Sequence, residues 1–186
     1  MKVAVIGGGS TYTPELVRGF LERGASFPLT ELWLMDVAAG RLASVGGFAR
    51  RMVQAGGEPF RTVLTGALDE AVDGAAYVIT QLRVGGMEAR REDEYLGQRH
   101  GLIGQETTGV GGMAKALRTI PVILRLARDI QELAPGALLA NFTNPAGLIV
   151  QALALAAPDL PAVGVCNVAI TTKMTMVTEL EKVLGR

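Results

Sequence analysis

Short apolar runs of strand length alternate along this chain with longer segments of helical periodicity, and that alternation constrains the fold more than any other feature. Strands without a polar face belong in a sheet covered by helices on both sides, so a repeating strand and helix order reads as parallel strands joined by crossover helices. Lys2–Ile6 reads as the first strand and Pro14–Arg23 as a helix, with Thr13 placed to cap it and Pro14 in its first turn. Glu31–Met35 is the second strand, followed by a helix over about Gly40–Gln54. Phe60–Leu64 and Ala75–Gln81 read as the third and fourth strands, on either side of a short connecting segment around Leu68–Val72. Gly111–Leu133 carries the longest helical pattern, and Pro121 inside it predicts a break or kink. Ala137–Asn141 and Ala162–Val165 complete the strands, separated by a helix over about Gly147–Leu155, and Thr171–Leu184 is a last helical stretch with nothing after it to pack on. The expected fold class is α/β, a doubly wound and mostly parallel sheet.

Composition removes several other functions. A chain of 186 residues with 49% hydrophobic and 19% charged residues can bury a sizeable core, which excludes disorder. Lys plus Arg and Asp plus Glu both number 18, and no basic run tracks a phosphate backbone, so no nucleic acid partner is expected. The single cysteine, Cys166, has no partner for a staple, and the N-terminus has no cleavable signal pattern; both fit a reducing cytoplasm. No apolar stretch reaches the ~18 residues of a membrane span, the longest being interrupted by Pro145, Gly147 and Gln151, so no membrane partner is expected.

In a doubly wound sheet, ligands bind at the carboxyl ends of the strands, near the switch point in strand order. After the first strand come Gly7, Gly8, Gly9, Ser10 and Thr11, where backbone amides can approach a pyrophosphate at the start of the next helix. Gly7 and Gly9 fill the first two positions of a dinucleotide fingerprint, but Tyr12 stands where the third glycine belongs, so an ordinary tight turn remains open. Asp36 closes the second strand and is placed to bind adenosine ribose hydroxyls, which favours NAD over NADP; its alternative is a cap or solvated turn residue. After the fourth strand a charged stretch runs from Arg83 to Glu94. Most of its charges read as solvated, but Arg83 at the strand end and Arg90 beyond the Gly85-Gly86 pair can grip a phosphate or carboxylate.

Gly101 to Gly109 is glycine-rich around a lone acid, Glu106, which suggests a loop held against ligand; Glu106 can equally cap the following helix. His100 is the only histidine and reads as structural. After the fifth strand, Asn141 and Asn144 can orient sugar hydroxyls or a nicotinamide, or serve as turn and cap residues before Pro145. Cys166-Asn167 follows the sixth strand. A lone cysteine is usually a small hydrophobe, but at this sheet edge a thiolate can join a divalent metal.

Five segments together resemble the glycoside hydrolases of family four, especially the 6-phospho-β-glucosidases: Ile6 to Pro14, Arg83 to Gly86, Ile103 to Gly109, Asn141 to Gly147, and Cys166-Asn167-Val168, in the same order and over nearly the whole chain. The resemblance implies a Rossmann-like NAD-binding domain over residues 1–168 and the start of a C-terminal catalytic domain at 169–186. It also implies a chemistry unlike that of two-carboxylate glycosidases. NAD+ takes hydride from C3 of the sugar, a base removes the C2 proton, the C1 substituent is eliminated, and water addition and hydride return complete the cycle. A divalent metal, typically Mn2+, polarises the C2 and C3 oxygens. By the same carry-over Cys166 is a metal ligand, Asn144 and Asn167 contact the sugar, Arg90 binds substrate, Glu106 supports the site, and Arg83 belongs to the cofactor side. Asn167, in place of the acid found in α-specific relatives, points to a β-linked substrate, a phosphorylated disaccharide or glucoside. A homo-oligomer, dimer or tetramer, is expected of the full-length protein.

Two departures stand out. Ala169 occupies the position after Cys-Asn-Val where the family has proline, and the sequence stops at Arg186, before the histidine and tyrosine that complete the metal site and supply the base. The expectation is therefore a fragment inactive by itself. A lactate- or malate-type 2-hydroxy-acid dehydrogenase, an α-specific member of the same family and a stand-alone nucleotide-binding module are the alternatives.

Overall fold

In β1 (Lys2–Ile6) successive side chains enter opposite cores, Val3 and Val5 on one face and Ala4 and Ile6 on the other. A strand buried on both faces has to lie inside a sheet flanked by helices. The computed structural model, which describes residues 1–185, places it there; Arg186, the end of the expected 169–186 segment, lies outside the described residues. β1 pairs in parallel with β2 (Glu31–Met35) on one side and β4 (Tyr77–Thr80) on the other. β3 (Arg61–Thr65) extends the first side, and β5 (Leu138–Asn141) and β6 (Ala162–Gly164) extend the second, all parallel. The resulting order, β3-β2-β1-β4-β5-β6, is that of the doubly wound dinucleotide-binding sheet, with its switch point between β1 and β4.

Helices cover both faces. Val3, Val5, Leu32 and Leu34 are sealed by Val17 of α1 (Thr13–Glu22) and by Ala49 and Val53 of α3 (Gly47–Ala55). Ala4, Val78 and Leu139 pack beneath α4 (Leu68–Val72), α6 (Gly109–Leu133) and α7 (Ala146–Ala156), through Val72, Ile123, Ile130, Ile149 and Leu153. Each valine, leucine or isoleucine among these contributes about 1.5–3 kcal/mol when fully buried, so the strand ends stand on a rigid base. α5 (Gly86–Arg99) and α8 (Val168–Leu184) lie outside these two cores, and no residue of α8 is buried.

Several expectations are corrected. Thr13 does not cap α1 but is its first residue, fully buried, with Oγ1 donating to the Gly8 carbonyl at 2.9 Å. The helix after β2 is not uniform: α2 (Ala39–Arg41) runs through a π-helical turn, Leu42–Gly46, into α3. Such turns insert one residue and often mark functional positions. Pro121 does not break α6, because it sits with Leu117 on the exposed face, where water can take over the carbonyl that loses its donor. The last helix starts at Val168, immediately after Cys166-Asn167.

Candidate active site at the carboxyl ends of the strands

The glycine loop leaves β1 by folding onto β2. Gly7 and Gly8 both donate their N–H to the Met35 carbonyl, at 2.9 and 2.8 Å. Gly7 has a positive φ of 98°, and a Cβ there would stand 2.6 Å from the Gln81 carbonyl oxygen. At Gly9 a Cβ would meet Asp36 Oδ2 at 2.8 Å and Arg41 Cβ at 2.9 Å. The glycines thus satisfy the protein's own packing and keep the loop bare of side chains before the start of α1. Asp36 accepts from Gly9 N–H through Oδ2 and from Ala38 N–H through Oδ1, both at 2.9 Å, while Arg41 donates through Nε and Nη2 to the Gly9 carbonyl at 3.2 Å. Asp36 is therefore a turn residue that fixes the loop, and its carboxylate keeps lone pairs for hydroxyl donors. Ser10 Oγ accepts from Tyr12 N–H at 3.3 Å, Thr11 is exposed, and no side chain caps α1. An uncapped helix start beside a glycine loop suits an anion.

Gln81, just past β4, donates through Nε2 to the Gly7 carbonyl at 3.1 Å and to Thr13 Oγ1 at 2.7 Å, tying the loop across the switch point. Asn141 is fully buried: it accepts from Thr80 Oγ1 at 2.8 Å and donates to the Thr143 carbonyl at 2.9 Å. Of its two sequence readings the structural one holds. Asn144 is half-buried and does not cap α7, which has no side-chain cap.

Glu106 does not cap α6 either; Thr108 precedes that helix, again without a side-chain cap. Its carboxylate instead gathers three cations. Arg83 Nη1 reaches Oε1 at 2.7 Å, Arg90 Nη1 reaches Oε2 at 3.3 Å, and Lys115 Nζ donates to Oε1 from below. Arg90 also donates through Nε to Glu94 at 2.8 Å. Burial works against the ionised carboxylate, but Lys115 and Arg83 outweigh it and hold Glu106 below the ordinary glutamate value. Beside this group, Arg118 forms a two-pronged pair with Asp93 and donates through Nε to the Val84 carbonyl at 3.0 Å. Asp93 is buried, which corrects its reading as one of the solvated charges of α5.

Cys166 is an exposed free thiol, so the reading of a buried small hydrophobe fails. Asn167 Nδ2 reaches Tyr12 Oη at 3.4 Å, and the Tyr12 ring meets Phe142 edge-on with centroids 5.3 Å apart. Tyr12, the residue in place of the third fingerprint glycine, thereby joins the ends of β1, β5 and β6. Among the described residues no group of three His, Cys, Asp or Glu could hold a metal, so Cys166 can supply only part of such a site. Also among the described residues, no helix is long and apolar enough to cross a membrane.

The sequence reading did not single out Arg41, Asp93, Lys115 or Arg118. Lys115 had a legible signal: with Gly111 and Thr119 it falls at four-residue spacing on the buried stripe of α6, where a lysine has no reason to sit without a partner.

The model of the family described as Family 4 glycosyl hydrolase matches residues 2–182. This chain belongs to that family. Among its relatives, the "Probable 6-phospho-beta-glucosidase" of Bacillus subtilis (strain 168) is 49% identical over 97% of this chain and 41% of its own length. The "6-phospho-beta-glucosidase" of Escherichia coli (strain K12) is 46% identical over 94% of this chain and 39% of its own. The crystal structure of the 6-phospho-β-glucosidase from Thermotoga maritima with manganese, NAD+ and glucose-6-phosphate superposes with a TM-score of 0.88 at 36% identity, covering all of this chain and 44% of that one. The chain thus spans about two fifths of the length of these family 4 relatives.

Proposed function

We propose that residues 1–168 form the nucleotide-binding part of an NAD- and divalent-metal-dependent 6-phospho-β-glucosidase, and that 169–186 begin its catalytic domain. The observation that carries this reading is the junction at Tyr12, where a dinucleotide-type loop is tied to the Cys166-Asn167 turn and to the Phe142 segment. A plain dehydrogenase or nucleotide carrier has no need of a thiol in the turn that Asn167 links to its nucleotide loop. The residues present fit NAD, given the uncapped start of α1 and a loop without room for side chains. They fit a metal in part, with Cys166 as one ligand and the others contributed from elsewhere in the full-length protein.

When bound, NAD would accept hydride from C3 of the sugar and return it, while a metal such as Mn2+ would polarise the neighbouring oxygens. Gly7, Gly8 and Gly9, whose N–H groups are taken by Met35 and Asp36, shape a loop bare of side chains, so that the pyrophosphate sits with Ser10 and Thr11 at the uncapped start of α1. Asp36 takes the ribose hydroxyls, and Arg83 borders the cofactor. Arg90 binds the phosphorylated sugar; two of its five N–H donors are committed to Glu94 and Glu106, which leaves a fork for substrate. Asn144 and Asn167 orient the ring, the neutral Asn167 suiting a β-linked leaving group. Glu106 keeps a fixed negative charge beside the reacting carbons. A reducing cytoplasm keeps the Cys166 thiol available, and the full-length protein is a homo-oligomer.

The test is cofactor dependence. The complete protein, stripped of NAD, should not hydrolyse a 6-phospho-β-glucoside, and added NAD+ should restore activity with no build-up of NADH. Hydrolysis by NAD-free protein would overturn the reading, and stoichiometric NADH would favour a dehydrogenase.

A further inference from the structure

α6 begins against the loop it supports. Cβ atoms at Gly111 and Gly112 would stand 2.2 Å from the Gln105 carbonyl oxygen and 2.5 Å from the Thr107 carbonyl carbon, so the loop's backbone lies directly on the first turn of the helix. One turn on, Lys115 extends beneath Glu106. Its side chain is 3% exposed, against 16% for Glu106, 36% for Arg83 and 37% for Arg90. The two arginines face outward, where a ligand can reach them, and the lysine has no such access.

Burying an ammonium is costly unless it is paired, and an aliphatic side chain would fill this helix stripe at no such cost. The groups around Lys115 define its partner. Glu106 faces it from the loop, Arg83 from the end of β4 and Arg90 from α5; Glu94 is engaged by Arg90, and Asp93 is taken up by Arg118. Among the described residues, only Glu106 offers it a negative charge.

We propose that Lys115 is a positioning residue, the permanent counter-ion that keeps Glu106 ionised and in place when Arg83 and Arg90 turn toward an anionic ligand. The anions are those of the proposed function, the phosphorylated sugar at Arg90 and the bordering cofactor at Arg83, and the claim rests on that reading for its purpose but not for its test.

The test follows Glu106 itself by NMR in protein labelled with 13C at the glutamate carboxyls, the signal being assigned by its loss in E106Q. The Glu106 titration midpoint should rise in K115M and return toward the wild-type position in K115R. It should rise less in R83A/R90A, which imitates both arginines turned away, than in K115M. A merely structural lysine would lower the stability of K115M and leave the midpoint where it was, which would overturn the proposal, as would a larger rise in R83A/R90A. Should K115M not fold, the wild type still decides: 15N observation should find a slowly exchanging Lys115 ammonium whose shift follows Glu106 titration. A rapidly exchanging ammonium insensitive to Glu106 would refute the pairing. None of these readouts uses cofactor, metal or sugar, so loss of cofactor-dependent hydrolysis would strike the proposed function and leave this result standing.

Discussion

Replacing Asp36 with asparagine should narrow the preference for NAD over NADP about 30-fold on a Coulombic reckoning. The carboxylate accepts the Gly9 and Ala38 N–H groups at 2.9 Å and thus lies flush against the loop that would cradle the pyrophosphate. A 2′-phosphate on the adjoining ribose would stand roughly 5 Å from it, where unit charges at an effective dielectric near 20 repel by about 3 kcal/mol. Arg41, which grips the Gly9 carbonyl through two donors at 3.2 Å, offsets part of that repulsion. A residue of about 2 kcal/mol converts to the 30-fold ratio. Asparagine keeps one oxygen acceptor and loses the other, so the loop loosens. That loss weakens both cofactors alike and cancels in the ratio. Calorimetric titration of wild type and D36N with each cofactor, at one fixed ionic strength, reads the ratio directly. An unchanged ratio in D36N, or equal affinities in the wild type, would refute the reasoning.

Three further outcomes are expected. Asp93→Ala strips the two-pronged partner from Arg118, and because the Arg118 side chain is 30% exposed and can reach water, the loss falls at the low end for broken buried pairs, about 3 kcal/mol; urea unfolding checks it, and a loss below about 1 kcal/mol would count against a buried clamp. Glu106 has a depressed pKa in the fold, so its contribution to stability is fully present above the unfolded glutamate value of about 4.3 and disappears as pH falls through the lower folded value. Unfolding free energies followed through that acid range should fall in the wild type and lose this component in E106Q. In the complete enzyme, Cys166→Ser should abolish manganese-dependent activity and leave NAD affinity nearly unchanged, since β6 lies three strands from β1, about 14 Å along the sheet edge; full activity with unaltered metal affinity would remove Cys166 from the metal site.

What could be read in advance follows from how local each signal is. β1 and β2 declare themselves because a run apolar on both faces has no other stable home, and their bounds agree with the sequence to the residue. The shared position of the glycine loop, Asp36 and Arg83 could be read in advance because a parallel sheet places every strand end on one edge, whereas Arg90 reaches the group only through its contact with Glu106 from α5. Thr13 was misread because its spacing imitates a cap, whereas its hydroxyl is taken by Gly8 and by Gln81, 68 residues away in sequence. The Arg118 and Asp93 pair spans 25 residues between two helices, and nothing in either helix marks the other as its partner. Cys166 and Asn141 separated only with burial known: one is exposed and available, the other is a buried staple.

Redox activation at C3 is the centre of this account, and isotope incorporation at C2 tests it most directly. The complete protein should hydrolyse a 6-phospho-β-glucoside in deuterium oxide with deuterium appearing at C2 of the released sugar phosphate, because the proposed mechanism removes the proton there and later replaces it from solvent. A displacement by two carboxylates never touches that carbon. Sugar phosphate released with C2 still carrying its original hydrogen would contradict the proposed function.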